Sequence, residues 1–362
     1  MGESLPDEDV VPISFGPDQI VKVFIDYNSI PEHVTDPRFA IVDNPEDADA
    51  LFVKQSWKQF AGLEKLINQF PNECVITFKD LIAVVGHWSD PDRVDEENFE
   101  HGPAWLPVTY NINTELPKFI SYFQQREKRN LNNTWICKPW NLARALDTHI
   151  TDQLSYIIRL RESGPKIACK YIENPVLIHF DDVGDVKFDI RYILLLSSVS
   201  PLKLYAYRIF WLRFANKPYS LDSLDDYEKH FTVMNYEDDF PLRQVHYDDF
   251  IPIFNNQYPE FGWEETEKKI FAMFRSLFLA ATSKLYPKCI APSPNSRAMY
   301  AADLMLKWTK DDSGNRSMQP VLCEINFCPD CDRACQYHPR FANDVLSCLF
   351  LDDIEDRPIT EI

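Results

Sequence analysis

The chain has 362 residues, of which 45% are hydrophobic and 14% aromatic, enough to bury a large core and to exclude a disordered or fibrous protein. Acidic residues outnumber basic ones, 56 against 37, and the formal net charge of -19 argues against nucleic-acid or anionic-membrane partners held by non-specific attraction. No apolar run reaches the roughly 18 residues of a membrane span, and the acidic start from Met1 to Asp9 lacks the features of a signal peptide.

Nine cysteines, an odd number scattered through apolar segments, predict reduced thiols in a cytoplasmic protein rather than a disulfide framework. Myristoylation is not supported, because the Met1-Gly2 start has no Ser or Thr at position 6.

The predicted elements begin with a short strand from Ile20 to Ile25. An acidic, turn-like stretch from Asn44 to Ala50 leads into a second strand, Leu51 to Val53. Leu63 to Phe70 reads as a helix and Cys74 to Phe78 as a third strand. This alternation predicts a small α/β lobe over residues 1–78. An acidic loop then runs from Ser89 to Gly102, followed by a helix from Thr114 to Arg129. Strands at Trp135–Cys137 and Ala168–Tyr171 flank a helix at Thr151–Arg161, giving a central lobe over 79–168.

From Val186 the pattern turns β-rich, with strands at Lys187–Ser197 and Lys203–Phe214. Between Glu264 and Tyr286, Ile270, Met273, Phe274, Leu277, Phe278 and Ala281 form one apolar helical stripe, read as core. Strands at Tyr300–Leu306 and Val321–Asn326 complete a third lobe, 169–362. The three lobes are expected to form a single domain of mixed α/β class.

The chemistry sits at strand ends. Alternate residues of a strand share a face, so Glu324 and Asn326 point the same way, and Asp303 can supply a third hard oxygen. Such a set suits magnesium, although the same residues also suit the solvated face of a half-buried strand. Lys138, at the end of the Trp135 strand, is a phosphate-seeking cation. A glycine loop should follow it, yet the chain continues Trp140-Asn141-Leu142-Ala143-Arg144-Ala145-Leu146-Asp147 and holds only nine glycines beside 26 prolines. Cys328, Cys331, Cys335 and His338 could supply zinc ligands, but lack the paired spacing of a structural zinc site and read as incidental.

Taken in order, several motifs occur together. They are Phe78-Lys79-Asp80, Lys138-Pro139, Cys169-Lys170-Tyr171-Ile172-Glu173-Asn174-Pro175 and Lys187-Phe188-Asp189-Ile190-Arg191. Tyr207-Arg208, Arg213-Phe214-Ala215, His230-Phe231-Thr232, Asp303 and Glu324-Ile325-Asn326 follow. This series resembles the tubulin–tyrosine ligase-like family, whose catalytic region is an ATP-grasp fold.

The resemblance implies that Lys79 and Lys138 face phosphates and that Lys170, Tyr171, Ile172 and Glu173 line the adenine and its hinge. Lys187 and Asp189 would lie by the ribose and phosphates, while Asp303, Glu324 and Asn326 would hold magnesium. Arg191 and Arg208 would grip the carboxylate of a tubulin tail, as guanidinium forks do. Family enzymes use ATP and Mg2+ to activate that carboxylate for attack by an amine, so positioning and charge neutralisation carry the step.

Departures from the pattern set the expected function. Ala145 and Asp147 occupy glycine positions of the family's phosphate loop. A carboxylate about 4 Å from a phosphate, at an effective dielectric near 20, is repelled by about 4 kcal/mol. Ile209-Phe210-Trp211 replaces a smaller element, and Thr232-Val233-Met234-Asn235 displaces an expected asparagine. The leading expectation is a catalytically inactive member with weak or absent ATP and Mg2+ binding. It would bind tubulin, as soluble dimers or through the C-terminal tail, and lower tail modification by tyrosination, detyrosination or glutamylation. An active ATP-dependent amino-acid ligase acting on tubulin or another acidic protein is the alternative, and a protein-interaction scaffold the third.

Overall fold

The computed structural model describes residues 12–16, 19–28, 30–54, 64–140, 146–232, 243–285, 287–311, 313–327 and 329–362. Four parallel strands open the chain, β1 (Val21–Ile25), β2 (Phe39–Ile41), β3 (Ala50–Phe52) and β4 (Leu66–Ile67), in the order β2-β1-β3-β4. β4 falls where the sequence reading placed a helix. Its register is fixed by Asn68, whose side chain accepts from Val53 N at 2.8 Å and donates to Val53 O at 3.1 Å, so an amide imitates a strand partner.

The expected third strand is also corrected, because Cys74–Thr77 forms a helical turn, α1, leading into α2 (Lys79–His87). A short apolar run cannot by itself distinguish strand from helix. Asn72 decides it here: at φ 63 it reverses the chain, and its side-chain amide donates to Pro287 O and Cys289 O at 2.7 Å.

The acidic loop closes a two-residue hairpin, β5 (Val94–Asp95) with β6 (Glu100–His101). Then come β7 (Thr109–Asn111), α3 (Leu116–Lys128), β8 (Trp135–Pro139), β9 (His149–Thr151), α4 (Leu154–Leu160) and β10 (Lys166–Lys170). The strands form an antiparallel sheet in the order β7-β10-β8-β9. Its outer face packs Trp135, Cys137 and Ala168 against Phe119, Tyr122 and Ile157 of α3 and α4.

The rest is built on a large sheet of β11 (Leu177–Phe180), β12 (Gly184–Val199) and β13 (Leu202–Pro218), followed after three helices by β14 (Ala298–Lys310) and β15 (Arg316–Asn326). Those helices are α5 (Tyr227–His230), α6 (Tyr247–Gln257) and α7 (Trp263–Thr282). α8 (Cys331–Tyr337), α9 (Phe341–Leu351) and the edge strand β16 (Ile359–Glu361) end the chain. The order is β15-β14-β12-β13-β16, with β11 beside β12.

Strand alternation splits two cores across this sheet. Ile190, Tyr192, Leu194 and Leu196 of β12 pack with the apolar stripe of α7, all six residues of which are buried. Ile193 and Leu195 instead join α9 and the first sheet. Cys331 and Cys335 are buried in that second core, and Cys328 lies outside the described residues. Among the described residues no three His, Cys, Asp or Glu side chains gather as a metal site, and no helix is long and apolar enough to cross a membrane.

Candidate functional site

The small antiparallel sheet faces the large one across a cleft of about 610 Å³, counting the solvent at its mouth. Alternation supplies its lining. On β8, Trp135 and Cys137 are committed to the outer core, so Ile136 and Lys138 face the cleft; on β10, Ile167 and Cys169 do the same. Leu106, Met305 and Leu322 complete an apolar wall, while Lys79, Lys138 and Lys187 bring cations to it.

Lys170, Tyr171 and Ile172 line the cleft where β10 ends. Lys170 Nζ donates to Glu173 Oε1 at 2.8 Å and to Thr134 O at 3.1 Å, which ties this hinge to the start of β8. Burial lowers the Lys170 ammonium below its ordinary range, with Glu173 opposing. Lys187 is deeper. Its Nζ donates to Tyr171 Oη at 2.8 Å and His230 O at 3.2 Å, and burial pushes it down to about 7. Tyr171 Oη in turn meets His230 Nδ1 at 2.8 Å.

Beside these lysines the large sheet carries a charged network. β12 and β14 pair Arg191 with Asp303, and β14 and β15 pair Asp303 with Glu324. Arg191 grips Asp303 with both prongs, Nε to Oδ1 at 2.6 Å and Nη2 to Oδ2 at 2.7 Å. Arg213 Nη2 lies 3.0 Å from the same Oδ2, and Arg213 Nε donates to Asp189 Oδ1 at 2.7 Å. Thr232 Oγ1 donates to the other Asp189 oxygen. Burial alone would raise Asp303, but Arg191 and Arg213 hold it well below the usual carboxylate range. Asp189 goes the other way: burial and the Asp303 charge push it up against Arg213.

Glu324 accepts from Asn326 Nδ2 at 3.2 Å through Oε1 and pairs with Lys79 Nζ at 3.2 Å through Oε2. Burial opposes its ionisation, yet Lys79 keeps it below the ordinary value. Lys138 is held above its own ordinary value despite burial, and of the groups around it the carboxylates of Glu324 and Asp303 carry the charge that does so near neutral pH.

Residues 58–360 match the profile of the Tubulin-tyrosine ligase family. The chain belongs to the tubulin–tyrosine ligase family, and its ATP-grasp-like architecture follows. It is 51% identical to tubulin–tyrosine ligase-like protein 12 of Mus musculus over 358 residues, 98% of this chain and 55% of that protein. Identity to the protein of that name in Homo sapiens is 51% over 355 residues, 97% and 54% of the two chains. In Caenorhabditis elegans it is 40% over 348 residues, 94% and 50%. The chain thus spans about half the length of the curated relatives it matches.

The structure brings together most residues singled out by the family motifs. Lys79, Lys138, Lys170, Tyr171, Ile172 and Lys187 line one cleft, and Asp189, Arg191, Asp303, Glu324 and Asn326 occupy the adjoining sheet face. Arg208 is not brought there. Its Nη2 pairs with Glu267 Oε2 at 2.7 Å on α7, and Glu267 also accepts from Tyr192 Oη, so Arg208 is on the opposite face of the sheet from Arg191. The lipophilic Phe210 is on that face too, packed in the core against Tyr192 and Trp263. Ala145, Val233, Met234 and Asn235 lie outside the described residues.

Asp147 departs from the repulsion argument. It has φ 51, the left-handed region that glycine favours. Its carboxylate takes a hydrogen bond from Lys166 Nζ and lies 3.0 Å from His149 Nε2. Lys166 shares with Ala168 the face of β10 turned away from the cleft, and the Asp147 carboxylate turns toward it. Pairing with Lys166 offsets the charge on which that argument rested. The latch itself carries weight, because the Lys166 side chain is only 1% exposed. Asp147→Asn keeps a residue that tolerates the left-handed region but drops the charge. It is expected to cost about 1–3 kcal/mol in urea unfolding, and an unchanged midpoint would show the latch to be idle.

Arg213 is the site residue that sequence reasoning passed over. It was noted in Arg213-Phe214-Ala215 without a role, and only the β12–β13 register, Asp189 opposite Arg213, reveals it. Cys169 and Cys323 also line the cleft, and burial raises both thiols, Cys323 to about 12, so neither is a nucleophile at neutral pH.

Proposed function

We propose that the chain is a non-catalytic member of its family that binds tubulin, as soluble dimers or through the C-terminal tail, and lowers the modification of that tail. The observation that carries this reading is the state of the expected magnesium ligands. Asp303 and Glu324 have hard oxygens, yet Arg191, Arg213, Lys79 and Asn326 occupy all four of them at hydrogen-bond or ion-pair distance. The donor chemistry suits magnesium; the arrangement does not offer it.

Arg191, the expected tail receptor, is likewise spent on Asp303, so an incoming tail carboxylate must compete with a bidentate internal one. The Arg208 side chain is 55% exposed and remains reachable from the other face. Tubulin as the partner rests on family membership, since relatives such as the probable tubulin polyglutamylase of Mus musculus carry that substrate in their names.

The test pairs binding with turnover. Purified chain should bind tubulin, bind it less after proteolytic removal of the tails, and incorporate no labelled tyrosine, glutamate or glycine in the presence of ATP. Incorporation that Glu324→Gln abolishes would establish the active ligase instead. Binding indifferent to tail removal, Arg191→Ala and Arg208→Ala alike would rule out tail capture.

A further inference from the structure

The phosphate end of the cleft has an unusual balance of charge. Four cations, Lys79, Lys138, Arg191 and Arg213, and the partly charged Lys187 stand around three carboxylates, Asp189, Asp303 and Glu324. The carboxylates are already matched. Each oxygen of Asp303 has a guanidinium partner, and Lys79 holds Glu324. Magnesium demands near-ideal octahedral geometry and enters protein sites through one or two carboxylates together with substrate phosphates. Here it would first have to strip protein cations from buried oxygens, which leaves those cations uncompensated. A polyphosphate meets the opposite situation, because lysine point charges suit phosphate oxygens and two of the three, Lys138 and Lys187, are not engaged with a carboxylate of the described residues at hydrogen-bond distance.

We propose that this cleft binds a nucleotide as the free polyphosphate anion, without a divalent ion, the protein's own cations standing where the ion would otherwise neutralise charge. The apolar wall of Ile136, Ile167, Leu106 and Leu322 receives the base, beside the Lys170–Ile172 hinge. Lys138 and Lys187 meet the phosphates. A divalent ion cancels part of the polyphosphate's charge, so the excess of protein cations discriminates against the metal complex. This inference stands apart from tubulin binding, which requires no nucleotide.

Calorimetry with ATP and with ADP tests it on purified chain without tubulin, once in EDTA and once in excess magnesium chloride. Binding is expected in EDTA, with affinity several-fold weaker in magnesium. Lys138→Ala should weaken the EDTA affinity by about tenfold or more, as loss of a charge-assisted hydrogen bond does. Glu324→Gln should tighten it several-fold by removing a negative charge from beside the phosphates. Circular dichroism melting curves separate these effects from misfolding. Tighter binding in magnesium, loss of binding on Glu324→Gln in a folded variant, or no heat from either nucleotide in either buffer would each overturn the proposal.

Discussion

Replacing Asp303 with alanine is expected to destabilise the fold by about 3–5 kcal/mol, because it leaves two half-buried guanidiniums without their shared, fully buried carboxylate. Asp303 is 3% exposed and lies mid-strand on β14 between β12 and β15, so water cannot easily replace it. Asp303→Asn keeps one acceptor and should cost less. Urea unfolding followed by tryptophan fluorescence at pH 7 measures both, and a loss under about 1 kcal/mol for the alanine variant would show that the arginines find other partners. The pH sign follows from the pKa held below 3.8 in the folded chain. The stabilisation is present above the unfolded value and is lost as pH falls through the folded one.

Glu73→Gln should act in the opposite direction and stabilise the chain above pH 7. Glu73 sits in α1's approach, where Oε2 accepts from Tyr300 Oη at 2.9 Å and Phe70 N at 3.2 Å. Burial pushes its carboxyl up from 4.5 to about 7 despite those donors. Between those values the folded chain keeps a proton that the unfolded chain has lost. Stability therefore falls as pH rises across that window, by about 3 kcal/mol for a shift of roughly two and a half pH units. Glutamine carries no such dependence and can still accept both hydrogen bonds through one oxygen. Stability measured at pH 4.5 and pH 8 should converge for the variant and diverge for the parent; parallel profiles would refute the assignment.

The periodic parts of the fold were legible in the sequence. The α7 stripe, the paired strands of the large sheet and the shared face of Glu324 and Asn326 follow from residue alternation alone. The misreadings fall where a side chain far away in sequence overrides a local run. Asn68 pairs β4 to β3, and Asn72 turns Cys74–Thr77 into a helix through contacts to Pro287 and Cys289. At the site, residue types were visible but not their commitments. That Arg191 faces Asp303, that Arg208 faces away, and that Arg213 joins Asp189 to Asp303 all depend on the register between β12, β13 and β14, which no single stretch encodes. The charge of Asp147 was legible, whereas the lysine that absorbs it, 19 positions on, was not.

The large sheet, lastly, is a party wall. β12 gives alternate side chains to the α7 core and to the core shared by α9 and the first sheet, so neither hydrophobic compartment owns its boundary. Melting one would expose the back of the other. Those two compartments should therefore come apart together, as one calorimetric transition rather than a staircase.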